Sequence, residues 1–521
     1  KSATGATAAS AALRVNASYS PKQFTSVDSS VLAIDPQTFG SVAYWRGDFS
    51  PHSLSSIDRT LQQNSLSQPA GIDLPDGARG LGVWVQTPTN SPGYQLAARL
   101  IDARGRVVDY GLFAGQNAQP APGDWQFYVA PLDRPGIGIS QRPGPAPTQP
   151  LRLLDVYIRD RPTQQEQTVT DYLQGLQITT DGTLQTGPDG FANGTPLDDF
   201  SNLSKFEAIP SEGNPDNADV LSKAPVQRAG QPAVQISWHR GQSDPGLHGF
   251  RLRGDGKPLM VYADSDFLNQ TGLHTGSRAA MFIDDVTVET QIAGTFSYFP
   301  SFPADGRSHL LVVDLARLQA EVLRTPNPGN LVLPDELWLA GGGAGAADAQ
   351  DLTSKGFTAD TVLSLAQIRA GQQRDPLVAA SWEGILFLSF AAVLVLAALG
   401  FAVYSYLTAQ GRTLEFAVLR TMGLSHAQIA VVVAFEQAFV VATGIIAGTI
   451  LGLPLSRVMI GFMGITETGD KVVPPMVGSV SWQAAAGAYA GLALVLIAVV
   501  ASLVLLYGRL SVSRALRMGE V

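Results

Sequence analysis

Residues Arg412 to Ile429, RTLEFAVLRTMGLSHAQI, separate two long apolar runs, and their reading decides how the rest of the chain is understood. Leu414, Val418 and Met422 recur at helical spacing, while Arg412, Glu415 and Arg420 carry charge, which is the pattern of a short amphipathic helix. Gly423 is placed to stop that helix, because a glycine just past the end accepts a left-handed backbone at little cost. Ser425 and Gln428, three residues apart, then form a capping box that starts a second helix running into the next apolar segment. A structured basic helix hinged in this way to a membrane helix is suited to receiving a push from another protein.

Outward from this stretch, three segments are long and apolar enough to cross a hydrocarbon core about 30 Å thick: 385–407, 429–453 and 484–507. Arg412 and Arg420 follow the first, and Arg509, Arg514 and Arg517 follow the third. Between the second and third, Lys471 is offset by Glu467 and Asp470. The excess of positive charge places the loop 408–428 and the C-terminus in the cytoplasm and residues 1–380 outside, with Arg457 as a minor conflict. Gly444, Gly448 and Gly452 on the second helix, and Gly487 and Gly491 on the third, have the spacing that permits close helix packing, although membrane helices are also simply glycine-rich. Glu436 and Gln437 lie inside the second helix, where an acidic side chain is costly and is usually turned toward protein or water. A structural or gating role, an ion path and a snorkelling side chain all fit that position.

Composition narrows the class. The chain has 521 residues, 45% hydrophobic and 15% charged, with net charge -9, which is too long for one domain and not basic enough for a nucleic-acid partner. With no cysteine, neither a disulfide frame nor a thiolate metal site is possible. No signal peptide stands at Lys1, so the chain reads as a fragment or a processed product.

The region before the apolar runs reads as an α+β domain interrupted by a β-sandwich. Residues 1–65 form its first part, with a polar Ser/Ala-rich opening, an apolar strand at Val31–Ile34, and Phe39, Val42 and Trp45 on one helical face. Residues 71–182 hold short strands at 81–85, 95–102, 107–113, 125–129, 151–159 and 172–179 with turn signals between them, including a hairpin turn at 102–105. That density of strands argues for a sandwich, jelly-roll-like and similar in pattern to galactose-binding modules. Residues 183–345 return to the α+β domain: strands at 259–262, 282–296, 310–313 and around Trp338, a helix at 264–271, and another capped by Asp314. Residues 346–380 form a linker and lead-in helix, and 381–521 the three-helix membrane domain.

Catalytic signatures are absent from the sequence. His52, His239, His248, His274, His309 and His426 have no metal-ligand spacing, no phosphate-binding GxxxxGK[ST] loop occurs, and Asp284 and Asp285 adjoin within a strand and point to opposite faces.

The run Arg412 to Ser425, with Gln428-Ile429, Glu436 and the spaced glycines, resembles the C-terminal membrane domain of FtsX-like (MacB-type) ABC transporter permeases of bacterial plasma membranes. Arg514-Ala-Leu-Arg517 looks like that family's ending, and LAIDPQTFGSVAYWRGDF (32–49) and SDFLNQTGL (265–273) are similar to parts of the outside domain in its large members. The resemblance implies a non-enzymatic permease subunit, itself without cofactor, working with a separate ATPase that carries ATP and Mg, and with a second permease copy or a paired half. It also implies an unknown outside substrate or protein. By position, Arg412, Glu415, Leu419, Arg420 and Gly423 would shape the element that meets the ATPase. Two other classes stand beside this one: a regulator that activates a cell-wall hydrolase, and an anchored carbohydrate-binding protein in which Trp84 or Trp125 would line an open groove.

Overall fold

The computed structural model describes residues 6–341 except 23, 67, 88–93, 115–122, 137–145, 162, 165, 210–218, 242–245, 285, 303–306 and 326–332. It further describes a few residues between 354 and 368, then 384–412, 415, 418–419, 421–463, 472–475 and 482–509. Lys1, most of 342–380, Asp285, Leu414, Arg420, Glu467, Asp470, Lys471, Arg514 and Arg517 therefore lie outside the described residues. The chain divides into two compact units, Lys1–Gly342 and Gly343–Val521.

The first unit opens with two long paired strands, β1 (Ala8–Lys22) and β2 (Thr25–Ile34). Helix α1 (Leu54–Gln62) follows, its Ser53 hydroxyl accepting the Ser56 N–H as the first-turn cap. The helix expected over Phe39, Val42 and Trp45 is only a 3-10 turn, Phe39–Ser41. Asp35 holds the chain in a tight turn there, accepting from the Gln37 N–H at 3.0 Å and the Thr38 hydroxyl at 2.7 Å. Phe39 is nonetheless fully buried, stacked near Phe299 and Trp338.

The chain then leaves this domain for a long insert made of β3 (Ile72–Asp73), β4 (Gly80–Gln86), β5 (Gln95–Ile101), β6 (Val107–Ala114), β7 (Trp125–Pro131), β8 (Arg152–Arg159) and β9 (Gln167–Thr179). It continues through β10 (Thr186–Gly187), β11 (Gly190–Phe191), β12 (Thr195–Asp198), β13 (Phe206–Ala208), β14 (Val220–Arg228), β15 (Gln231–Arg240) and β16 (Leu247–Leu252). One antiparallel sheet runs β13-β16-β8-β5-β6 and the other β7-β4-β9-β15-β14. The end of β6 passes from the first to the second, pairing Phe113 with Val129. Alternate residues of both sheets, among them Leu81, Val83, Leu96, Leu100, Val156, Leu173, Ile236 and Trp238, meet in one core. The insert ends at Leu252, so the boundary expected at 182/183 falls inside it: β14 to β16 complete its sheets instead of belonging to the flanking domain.

Trp84 does not line an open groove. It is 8% exposed, packed on the outer face of its sheet with Phe127 and Phe191, with the Arg228 guanidinium 3.4 Å from its ring centre. Gly82 is required beneath these rings, because a Cβ there would run into both Phe127 and Phe191. Trp125 is half-buried beside the same cluster.

After the insert come β17 (Leu259–Asp264), α2 (Ser265–Thr271), β18 (Arg278–Ile283), β19 (Val286–Phe296), β20 (Leu310–Asp314), α3 (Leu315–Leu323) and β21 (Glu336–Ala340). What reads in the sequence as one strand over 282–296 is a hairpin, broken at Asp284, whose φ is +49°; Asp284 is thus a turn residue and not a strand residue. These strands join β1 and β2 in a seven-stranded sheet of order β18-β19-β17-β20-β2-β1-β21. Ala17 pairs with Ile283 and Ser18 with Phe282, so β18 also meets the far half of β1, and six strands close into a ring. Strands β2, β17 and β20 are buried on both faces: Val31, Val261 and Leu311 point into one core and Leu32, Tyr262 and Val312 into the other. The carboxylates of Asp264 and Asp314 cap α2 and α3, accepting from the Phe267 and Arg317 N–H groups at 2.8 and 2.6 Å.

A row of alternating charge joins the insert to this ring domain. The strand registers set Asp109, Arg99, Asp155, Arg251 and Glu207 side by side across β6, β5, β8, β16 and β13. Above the row sits the end of α3: Arg99 donates to the Thr325 carbonyl at 2.8 Å, Arg251 to the Thr325 hydroxyl at 3.0 Å, and Arg324 to Glu207 at 2.6 Å. Arg317, also buried, clamps Asp255 through two hydrogen bonds and holds its carboxyl down to about 2.

Asp58 on α1 is the opposite case. It is buried against Gly40 with one oxygen unpartnered, and burial, with the nearby Asp35 charge, pushes its carboxyl up to about 6 from 3.8. A carboxyl with a raised folded pKa binds its proton more tightly when folded, so stability rises as pH falls through about 6 and levels off near 4. Asp58→Asn is therefore expected to stabilise the protein at pH 7 by ~1–3 kcal/mol and to flatten that rise. Urea unfolding of the full chain at pH 7 and pH 4.5 checks this, and an unchanged slope between the two would contradict it.

Candidate coupling element

Three helices make up the described part of the second unit: α4 (Gly384–Gly411), α5 (His426–Met463) and α6 (Trp482–Arg509). Among the described residues, two stretches are long and apolar enough to cross a membrane, Phe387–Thr408 in α4 and Ala427–Ser456 in α5; α6 contributes a shorter apolar run, Ala485–Val499. Their side chains are open: Leu388, Leu396, Phe435 and Leu451 are each about 70% exposed, a band of apolar surface that water-soluble proteins do not leave uncovered. Helix α6 packs against α4 and α5, with Thr449 and Tyr489 hydroxyls 2.8 Å apart across the α5–α6 contact.

Between α4 and α5 lies the stretch read first in the sequence. Glu415, Val418, Leu419 and Thr421 are helical, and the turn ends as glycine predicts: Gly423 has φ +98°, and the Leu424 N–H reaches back to the Leu419 carbonyl at 3.2 Å. That six-residue bond across a left-handed residue is a Schellman ending, and it satisfies a carbonyl the helix would otherwise leave open. Two residues later the capping box forms in both directions: the Gln428 N–H donates to the Ser425 hydroxyl at 3.3 Å, and the Ser425 N–H to the Gln428 carboxamide oxygen at 2.9 Å. Leu424, Ala427, Gln428, Val431 and Val432 line a shallow groove of about 470 Å³ beside the restart.

Of the residues singled out in the sequence, Arg412, Glu415 and Glu436 come together. Arg412 is bound to Glu436 at 2.8 Å and lies 3.9 Å from Glu415. Gln437 is 4% exposed and accepts from the Ser405 hydroxyl of α4 at 3.1 Å. Glu415 is exposed, Leu419 half-buried, and Arg420 outside the described residues. Gly444, Gly448, Gly452, Gly487 and Gly491 stand apart from this group; a Cβ on any of them would meet no heavy atom within 4 Å, so the chain makes no close approach to itself there. Sequence reading missed the roles of Ser405, Thr449 and Tyr489, and the partner of Glu436. Part of the signal for the last was available, since a carboxylate inside an apolar helix needs a cation and the loop before it offers two arginines, Arg412 and Arg420.

Among the described residues no three His, Asp or Glu side chains gather as metal ligands. No curated protein matches the chain. Residues 387–514 match the model of the FtsX-like permease C-terminal family, a span that takes in all of the segment 412–428 and nearly all of the three helices, so the C-terminal part of this chain is similar to FtsX-like permeases.

Proposed function

We propose that the chain is the permease subunit of an ABC transporter of the FtsX/MacB type. A separate ATPase binds the segment 412–428, and ATP-driven closure of that partner is carried through three membrane spans to the β-rich N-terminal unit on the outside, for export or extraction of a substrate. The observation that carries this reading is the helical turn that stops at Gly423 and the capped restart at Ser425, between two membrane-length helices and inside the segment that matches the permease family. The sealed packing of Trp84 takes support away from a carbohydrate-binding role.

The absence of native cysteine makes a clean test possible. Phe24, 97% exposed, and Glu415 are each replaced by Cys in turn and labelled in intact cells with a membrane-impermeant maleimide. Phe24→Cys is expected to label from outside and Glu415→Cys only after permeabilisation. Labelling of both from the same side would end the transport reading.

A further inference from the structure

Two polar contacts tie α4 to α5 near the coupling element. Nη1 of Arg412 donates to both carboxylate oxygens of Glu436, at 3.0 and 2.8 Å, and the Ser405 hydroxyl donates to Gln437. Arg412 follows the last residue of α4, while Glu436 is ten residues into α5, ~15 Å along its axis. An arginine that only fixed topology would extend toward water and lipid headgroups. This one instead turns to a carboxylate on the neighbouring helix.

The consequence concerns how the segment is held. Residues 413–425 are joined covalently to α5 at their far end, where His426 begins that helix. At their near end Arg412 is bound to α5 as well, through Glu436. Both ends of the coupling segment are thus fixed to one helix. We infer that the Arg412–Glu436 pair is a latch that makes the segment and α5 a single moving body, with Arg412 and Glu436 as positioning residues and α5 as the driven span. A displacement of the segment is then delivered to α5 and not lost as bending between α4 and α5. That the displacement comes from an ATPase rests on the function proposed above; the latch itself does not.

The test uses the full chain in nanodiscs of phosphatidylethanolamine and phosphatidylglycerol, carrying one nitroxide at Val418→Cys, an exposed site on the coupling helix. With the latch intact the label reports restricted motion. Glu436→Gln keeps the side-chain shape and removes a charge from an apolar helix, so insertion is not at stake, and it is expected to shorten the label's correlation time about threefold on the nanosecond scale such labels report. Arg412→Gln is expected to do the same, and the swap R412E/E436R to restore the restricted signal. A label unmoved by Glu436→Gln, or a swap no better than either single change, would overturn the latch. Because no ATPase is present in the assay, that failure would leave the transporter reading standing, and failure of ATPase pairing would leave the latch standing.

Discussion

Arg99→Met lowers the stability of the N-terminal unit by about 3–5 kcal/mol, the largest single loss expected in this unit. Arg99 is 3% exposed and bonded to Asp109 at 2.8 Å and to the Thr325 carbonyl at 2.8 Å. Its removal strands Asp109 beside Asp155, which is buried with neither oxygen hydrogen-bonded and whose carboxyl is pushed well up by burial against the pull of Arg99 and Arg251. A buried charge that loses its partner costs far more than the pair contributes when intact. The companion change makes the argument specific. Asp155→Asn removes the carboxyl that burial already disfavours, so it is expected to alter stability by less than about 1 kcal/mol. Urea unfolding of the full chain in detergent, followed by tryptophan fluorescence, measures both; equal losses in the two variants would refute the view that the row depends on its arginines more than on Asp155.

Leu419→Asp combined with Gly423→Asp is expected to abolish ATPase co-purification, at least a tenfold loss, while the N-terminal unit unfolds as before. Gly423 sits at φ +98°, a conformation that costs a side-chain-bearing residue ~1 kcal/mol or more. Leu419 supplies the carbonyl that closes the Schellman turn, and a carboxylate in the last turn of a helix opposes the helix dipole by a further ~0.3–1 kcal/mol. So short a helix has little other stabilisation to draw on, and it frays. Gly423→Asn separates shape from surface, since asparagine tolerates the left-handed region better than other residues; this variant is expected to keep the ATPase. Wild-type amounts of ATPase on the doubly substituted chain would remove the coupling role from this segment.

What could be read from the sequence was what local chemistry decides. The capping box at Ser425 and Gln428, the stop at Gly423, the cap at Asp314 and the turn from Asp102 to Gly105 all follow from hydrogen bonds within a few residues, and each is present. Two of the three apolar runs, those of α4 and α5, keep the length that membrane thickness sets, while the third is apolar over the shorter Ala485–Val499. Strand β1 was hidden: AASAALRVNASYSPK is small and polar, with little strand propensity of its own, and becomes a strand because β2, β21 and β18 all pair with it. The end of the insert was misplaced for a similar reason, because nothing local in β14 to β16 says which sheet they complete. The Arg412–Glu436 contact joins residues 24 apart that only the tertiary arrangement of the helices brings together.

The closed ring also sets an order of assembly. Strand β1 is among the first parts of this sequence to be made, yet its partners β18 and β21 begin at Arg278 and Glu336, on the far side of the whole insert. The insert can collapse on its own core as it emerges, whereas β1 and β2 must wait as a lone hairpin, which has marginal stability in water. A ribosome that pauses before Asp314, the end of β20, would leave the ring open and that hairpin with unpaired edges, and this is where chaperone capture and proteolytic loss should concentrate during biogenesis.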